Sequence, residues 1–188
     1  MKRGELAYVI GLAIGDGNLS NPNGRAVRLR ITCDTKYPNL VERICKALQS
    51  VSPINKVSII PGGKTTYLNV SCYSNQWENL LGWKAKGGSK FNQCVTVPDW
   101  IKRNKNFSIA CLRGLFETDG SIYKDRGYLM ANFVTTIPTL ADDVMTMIEN
   151  LGFKVNCYHL KTKKKDRFNI RISKNTQQFI EFIKINKN

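Results

Sequence analysis

Two acidic residues draw attention through what surrounds them. Asp16 closes the apolar run Leu6-Ala-Tyr-Val-Ile-Gly-Leu-Ala-Ile-Gly-Asp-Gly-Asn18, and Asp119 closes Ile109-Ala-Cys-Leu-Arg-Gly-Leu-Phe-Glu-Thr-Asp-Gly-Ser121. Each run is apolar nearly all round, so each predicts a buried helix. Each carboxylate is followed by a glycine, Gly17 or Gly120, a residue type that commonly terminates helices. A carboxylate at a helix C-terminus sits at the negative end of the helix dipole. Two of them at matched ends call for a compensating charge. A shared divalent cation would supply it, with the last helix carbonyls as further oxygen ligands. Gly11 and Gly114 occupy equivalent mid-helix positions, where glycine costs about 1 kcal/mol against alanine. That cost makes sense if the two helices approach closely there. A single Asp-Gly pair would mean no more than a turn; two at matched helix ends point to a metal site.

The helices belong to a duplication. Pro38 matches Pro138, Leu40 matches Leu140, Ile44 matches Val144, Leu48 matches Ile148 and Val51 matches Leu151. Asn69-Val70 matches Asn169-Ile170, and Asn75 matches Asn175. Each half reads αββαββα, and the expected class is α+β with two antiparallel sheets. The expected divisions are 1–82 for the first half, 83–106 for a linker rich in Gly and Lys, and 107–188 for the second half. Within the linker, Cys94 to Ile101 reads as more ordered and expected to pack on the second half.

The strand segments alternate apolar and polar residues, the signature of sheets with one face on helices and one face free. In 25–33, Val27, Leu29 and Ile31 turn in while Arg28, Arg30 and Thr32 turn out. In 65–72 the outward set is Tyr67, Asn69 and Ser71; in 167–172 it is Arg167, Asn169 and Arg171. Arg and Asn supply the directional hydrogen bonds that read base edges, and Arg also grips phosphate. Around this core the candidate DNA-contacting set extends to Ser20, Arg25 and Lys56 in the first half. In the second it extends to Ser121, Tyr123, Lys124, Arg126, Asn156 and Tyr158. The alternation fails in 128–136, where Ala131 and Asn132 leave the register open.

Composition agrees. Against 14 acidic residues stand 29 Lys and Arg, a net charge of +15, which implies a polyanionic partner. The basic residues lie in strands and loops rather than along one amphipathic helix, which favours nucleic acid over a membrane surface. No apolar run approaches the ~20 residues needed to cross a bilayer. No signal peptide is read at the N-terminus, so an intracellular location is expected, in an organelle or a prokaryotic cytoplasm. The 6 cysteines form no Cys-x-x-Cys pair, which argues against a zinc finger. With 1 histidine, His159, hydrolysis would have to use carboxylates, a metal ion or lysine. His159 reads as a structural or DNA-facing residue at a strand end.

The two Asp-Gly helices, the repeat, its spacing and the basic sheets together resemble the LAGLIDADG homing endonuclease family, and the resemblance covers essentially the whole chain. It implies a single-chain pseudo-dimer, with the two signature helices packed at the centre and the sheets forming a saddle over double-stranded DNA. It implies a long, near-asymmetric target, no obligate protein partner, and hydrolysis of both strands with Mg²⁺ or Mn²⁺. By that resemblance Asp16 and Asp119 are the metal ligands, joined by the carbonyls of Gly15 and Thr118. Glu117 should point elsewhere. The family's water-organising polar position falls at Cys33 and Thr136, with Asp34 nearby. A lysine that commonly follows the fourth strand falls at Lys174, opposite Ser74, and is the expected aid to catalysis.

Three alternatives share the scaffold: an RNA-splicing maturase, a DNA-binding protein that does not cleave, and the nuclease part of an intein. Intact acids favour cleavage. An intein needs a Cys or Ser start and a His-Asn end; the chain starts at Met1 and ends Asn186-Lys187-Asn188, so a free-standing, intron-encoded enzyme is expected.

Overall fold

A computed structural model describes residues 2–63, 66–163 and 165–186. The first half runs α1 (Arg3–Ile14), β1 (Gly17–Ser20), β2 (Arg28–Asp34), α2 (Pro38–Val51), β3 (Val57–Pro61), β4 (Tyr67–Tyr73) and α3 (Trp77–Leu81). A short helix, α4 (Asp99–Lys102), lies between the halves. The second half runs α5 (Lys105–Thr118), β5 (Gly120–Asp125), β6 (Tyr128–Thr135), α6 (Pro138–Asn150), β7 (Val155–Leu160), β8 (Arg167–Ile172) and α7 (Thr176–Phe182). The fold is α+β with the predicted order repeated.

Each sheet is four-stranded and antiparallel, in the orders β1-β2-β4-β3 and β5-β6-β8-β7. The long middle strand of each is pinned by its hydrophobic set. Leu29, Ile31 and Cys33 turn into the core from β2 while Arg28, Arg30 and Thr32 stay partly exposed. Sliding the register by one residue would bury the arginines, so the alternation holds it. The open register of 128–136 resolves the same way. Gly120 pairs with Phe133 and Phe133 with Ile170, so Ala131, Phe133 and Thr135 face the helices and Met130, Asn132 and Val134 face out. Ala131 is an inward residue too small to signal itself, and Asn132 is an outward one.

α1 buries every residue from Leu6 to Ile14, as its all-round apolar character requires. It packs along α5 over most of its length. α2 and α6 are amphipathic, each with a proline in the first turn, where the missing N–H costs nothing. Ile44, Leu48, Val144 and Ile148 are fully buried, each stabilising the fold by roughly 1.5–3 kcal/mol.

Element ends differ from expectation. β2 begins at Arg28 rather than Arg25, because the preceding loop turns at Gly24 with φ 69°. α5 starts at Lys105, where the Asn104 side chain accepts from Phe107 N at 3.2 Å. The ordered stretch 94–101 does dock on the second half. Val97 N donates to Asp143 Oδ2 of α6 at 2.7 Å, and Lys102 Nζ to Asp143 Oδ1 at 2.6 Å. Val95, Val97 and Ile101 are buried there.

Candidate active site and nucleic-acid interface

The two glycines in the helix centres set how closely the acids can meet. A Cβ on Gly11 would lie 2.1 Å from the Cys111 carbonyl oxygen, and one on Gly114 would lie 2.5 Å from that of Tyr8. Backbone therefore meets backbone, and no side chain fits between. At the C-terminal ends, a Cβ on Gly15 would lie 3.5 Å from Asp119 Oδ2. Asp119 is thus brought beside the residue that precedes Asp16. Both acids are exposed to solvent although the helices that carry them are buried.

Gly17 and Gly120 play a different part from the one expected. Neither has a positive φ, so neither is a left-handed helix terminator. They are the first residues of β1 and β5, where the chain turns sharply back over its own helix. A Cβ would lie 2.4 Å from the Ala13 carbonyl oxygen in one half and 2.5 Å from that of Phe116 in the other. Close approach, not backbone handedness, demands glycine.

The last carbonyls of α1 are met by a cation that sequence reading missed. Lys90 Nζ donates to Ala13 O at 3.2 Å, to Ile14 O at 2.5 Å and to Gly15 O. Burial pulls its pKa below the ordinary lysine value, while the charges of Asp119 and Asp16 oppose that shift. The ammonium therefore stands on the carbonyl of Gly15, the residue beside which Asp119 lies, within the field of both acids. A hard cation suits this donor set of carboxylates and carbonyl oxygens, and Lys90 shows that positive charge is accommodated there. Among the described residues no group of three or more His, Cys, Asp or Glu could hold a metal ion. The oxygens expected to ligate a metal are the carboxylates of Asp16 and Asp119 and the carbonyls of Gly15 and Thr118, and of these the Gly15 carbonyl accepts from Lys90. The Thr118 hydroxyl itself turns back to donate to Gly114 O at 2.9 Å.

A cleft of about 420 Å³ opens from this point, lined among others by Gly15, Lys90, Asp119, Thr136, Lys165 and Arg167. Lys174 is not brought to it. It lies past the far end of β8, exposed, in a separate cleft with Tyr128, Met130 and Arg171. The strand runs away from the acids, so a residue after its last position is carried to the sheet's outer end. Lys90 lines the cleft beside Asp119, and Lys165 lines it too.

The polar position after the second strand also shifts. Ile31 pairs with Val70 and Phe133 with Ile170, so Cys33 corresponds to Thr135, and Asp34 to Thr136. Cys33 is buried, and burial with the nearby charge of Asp16 pushes its thiol up to about 12. Glu117 does point away, as expected. Its buried carboxylate accepts from Tyr8 Oη at 2.5 Å, Arg113 Nε at 3.1 Å, Arg43 Nη2 at 3.3 Å and Asn186 N at 3.1 Å. Burial, with Glu117 close by, raises the Tyr8 phenol.

The free faces of the sheets assemble in rows. In the first, Asn18, Arg30, Ser71 and Ser58 align across the strands. Beside them run Ser20–Arg28–Tyr73 and Thr32–Asn69–Ile60. Arg28 Nε donates to Ser20 Oγ at 3.2 Å and Thr32 Oγ1 to Asn69 Oδ1 at 3.0 Å. In the second sheet Ser121, Asn132, Arg171 and Asn156 align, and Val134, Asn169 and Tyr158 align beside them. Asn132 Nδ2 donates to Tyr123 Oη at 3.0 Å. Tyr67 pairs with Asp34 and Arg167 with Leu160 at the ends near the acids. Arg30 Nε, Ser71 Oγ, Asn132 Oδ1 and Asn169 Oδ1 have no partner within the described protein, an unusual concentration of unsatisfied polar atoms on one kind of face. Asn18, Ser58 and Asn132 belong to it, and strand alternation from Gly17 and Gly120 would have found the first and last.

Four expected contacts sit off these rows. Lys124 shares the side of Ile122 rather than that of Tyr123, by alternation along β5. Arg126 is at the tip of the β5–β6 turn with φ 48°. Arg25 is exposed in the loop before β2, and Lys56 just precedes β3. His159 faces the helix side, stacked on Phe168 with centroids 4.7 Å apart and bonded to Asp166 Oδ2 at 2.7 Å.

A family model described as a LAGLIDADG-like domain matches residues 106–184, and one described as the WhiA LAGLIDADG-like domain matches residues 5–71. The chain is 25% identical over 95% of its length to a tRNA-splicing ligase RtcB of Methanopyrus kandleri, and spans 20% of that protein. In fold it is similar to I-DmoI in complex with DNA and Mn, with TM-score 0.69, 20% identity and coverage of 96% of each chain. It is likewise similar to the N-terminal LAGLIDADG domain of DUF199/WhiA, with TM-score 0.65 and 15% identity over 100% of this chain and 86% of that one. No helix among the described residues is long and apolar enough to cross a membrane.

Proposed function

Because the chain belongs to the LAGLIDADG family, as a single chain with two signature helices, we propose that it is a site-specific endonuclease that cuts both strands of a long, near-asymmetric DNA site. The observation that carries this is the junction of the two helix ends, where Asp119 lies beside Gly15, at the end of the helix that Asp16 follows. A DNA complex with Mn of the similar protein I-DmoI supports the same reading.

Asp16 and Asp119, with the carbonyls of Gly15 and Thr118, are the groups that would hold Mg²⁺ or Mn²⁺. When bound, the ion supplies positive charge to the phosphate and lowers the pKa of water. The chain's own residues do the rest. The free sheet faces hold the duplex, with Arg28, Arg30, Arg167 and Arg171 as the strongest donors. The exposure of both carboxylates leaves them open to the phosphodiester while their buried helices fix their position. Lys90 presents an ammonium at the same place, where it can neutralise charge developing on the phosphate oxygens. Burial and the charge of Asp16 disfavour the thiolate of Cys33.

The second reading, DNA binding without cleavage, is favoured by the WhiA match over residues 5–71. The two readings separate on one experiment: exposure of a randomised duplex library to the protein with Mg²⁺, repeated with Asp16→Asn and Asp119→Asn. The wild type is expected to cut a recoverable site. Each variant should lose double-strand cleavage by at least about 10³-fold while still selecting that site by binding. Binding of a site that the wild type never cuts would establish the second reading. Full cleavage by either variant would remove the acids from the mechanism.

A further inference from the structure

The lysine at the acid pair comes from a loop with no regular secondary structure, so something must hold it. The loop between α3 and α4 is closed by one side chain. Gln93 Oε1 accepts from Lys84 N at 2.7 Å, and Gln93 Nε2 donates to Lys84 O at 3.0 Å and to Gly88 O at 3.1 Å. Both amide hydrogens and the carbonyl oxygen are used, so the carboxamide is locked in orientation. Its backbone N donates to Ser89 O at 3.1 Å, and Val95 N donates to Lys90 O at 3.1 Å. The glycines fit around it. A Cβ on Gly87 would lie 2.4 Å from the Gln93 carboxamide, and Gly88 turns with φ 82°. The far side is anchored by Val95 and Val97 in the core.

We propose that Gln93 is a positioning residue for cleavage: its carboxamide ties the two ends of the loop together and so aims Lys90 at the carboxylates. This rests on the endonuclease reading above. Lys90 sits on a long, flexible side chain whose reach is set by its backbone, and misplacement of a reacting group by about 1 Å can cost on the order of 10²-fold in rate. The Gln93 carboxamide bonds to backbone groups of Lys84 and Gly88 and does not line the cleft that holds Asp119 and Lys90, so it acts through Lys90.

The test is a double-mutant cycle of Lys90→Met and Gln93→Ala on the DNA site recovered by the library selection. Gln93→Ala is expected to lower kcat about 10-fold, with KM and the Kd for DNA in Ca²⁺ within about 2-fold of wild type. In the Lys90→Met background the same substitution should change kcat by less than about 2-fold. Gln93→Glu, which keeps the shape but sets oxygen against the carbonyls of Lys84 and Gly88, should lose at least as much as Gln93→Ala. An equal loss in both backgrounds would mean a merely structural role and would overturn the proposal, as would wild-type kcat in Gln93→Ala. A second readout needs no cleavage. In metal-free protein, amide hydrogen exchange at Gln93, Cys94 and Val95 should accelerate at least about 10-fold in Gln93→Ala without a comparable change in the sheets. Unchanged exchange there would overturn it even if the wild type proves to bind DNA without cutting, a failure that the wild-type cleavage control reports separately.

Discussion

The two halves share a backbone and differ in how they use it. In the first sheet the guanidinium groups stand on the second strand, at Arg28 and Arg30. In the second they stand on the fourth, at Arg167 and Arg171. The rows themselves correspond: Asn18–Arg30–Ser71–Ser58 against Ser121–Asn132–Arg171–Asn156. Each row keeps one arginine but on a neighbouring strand. Thr32 donates to Asn69 in the first half, whereas Val134 stands opposite Asn169 in the second and leaves its oxygen without a partner. The helix ends diverge as well. Lys90 meets the final carbonyls of α1, while in α5 the Thr118 hydroxyl turns back to the Gly114 and Leu115 carbonyls one turn earlier. Duplication conserved where a side chain can stand; the identity of the group standing there moved. A surface of this kind presents donors without twofold symmetry, which is what recognition of a non-palindromic site needs.

The largest expected effect strikes the feature that both halves share. Gly11→Ala forces a Cβ onto the Cys111 carbonyl and should cost about 3 kcal/mol, lowering Tm by roughly 6–12 °C for a chain this long. Gly114→Ala, with the longer separation, should cost less. Thermal unfolding of both variants checks the order, and equal, negligible losses would break the idea of matched backbone contact. Next comes the exchange of arginines. Arg30→Ala and Arg171→Ala should each relax selectivity by about 1–3 kcal/mol at one base position, but at positions that are not twofold mates. Selection on the randomised library reads this directly, and relaxation at mated positions would contradict the asymmetry. The smallest effect concerns the Thr32–Asn69 hydrogen bond. Thr32→Val should destabilise and Val134→Thr should stabilise, each by about 1 kcal/mol or less. Urea unfolding distinguishes the signs, and a shared sign would show that the register equivalence is wrong.

Much of this was legible in the sequence because it repeats at short range. The alternation of Val27, Leu29 and Ile31 with Arg28, Arg30 and Thr32 states a strand and its faces locally. The matched apolar runs state the buried helices, and Gly11 and Gly114 state their approach. What was not legible depends on distance or on counting across a sheet. Lys90 meets Ala13, Ile14 and Gly15 through a loop that reads as linker, and no periodicity marks a lysine that reaches across the fold. Lys174 was a misleading candidate because its place after β8 says nothing of which end of the strand lies near the acids. The equivalence of Cys33 with Thr135 rather than Thr136 needed the pairing of Phe133 with Ile170. Gly17 and Gly120 were found for the wrong reason: their residue type was informative, but steric clearance over Ala13 and Phe116 calls for it.

The central claim is that Asp16 and Asp119, one from each half, serve a single shared cation site. Mn²⁺ binding followed by electron paramagnetic resonance, in the absence of DNA cleavage, tests it most directly. The account predicts that Asp16→Asn and Asp119→Asn each weaken Mn²⁺ binding by at least about 10-fold, with the folded state intact. Wild-type Mn²⁺ affinity in either variant would contradict it.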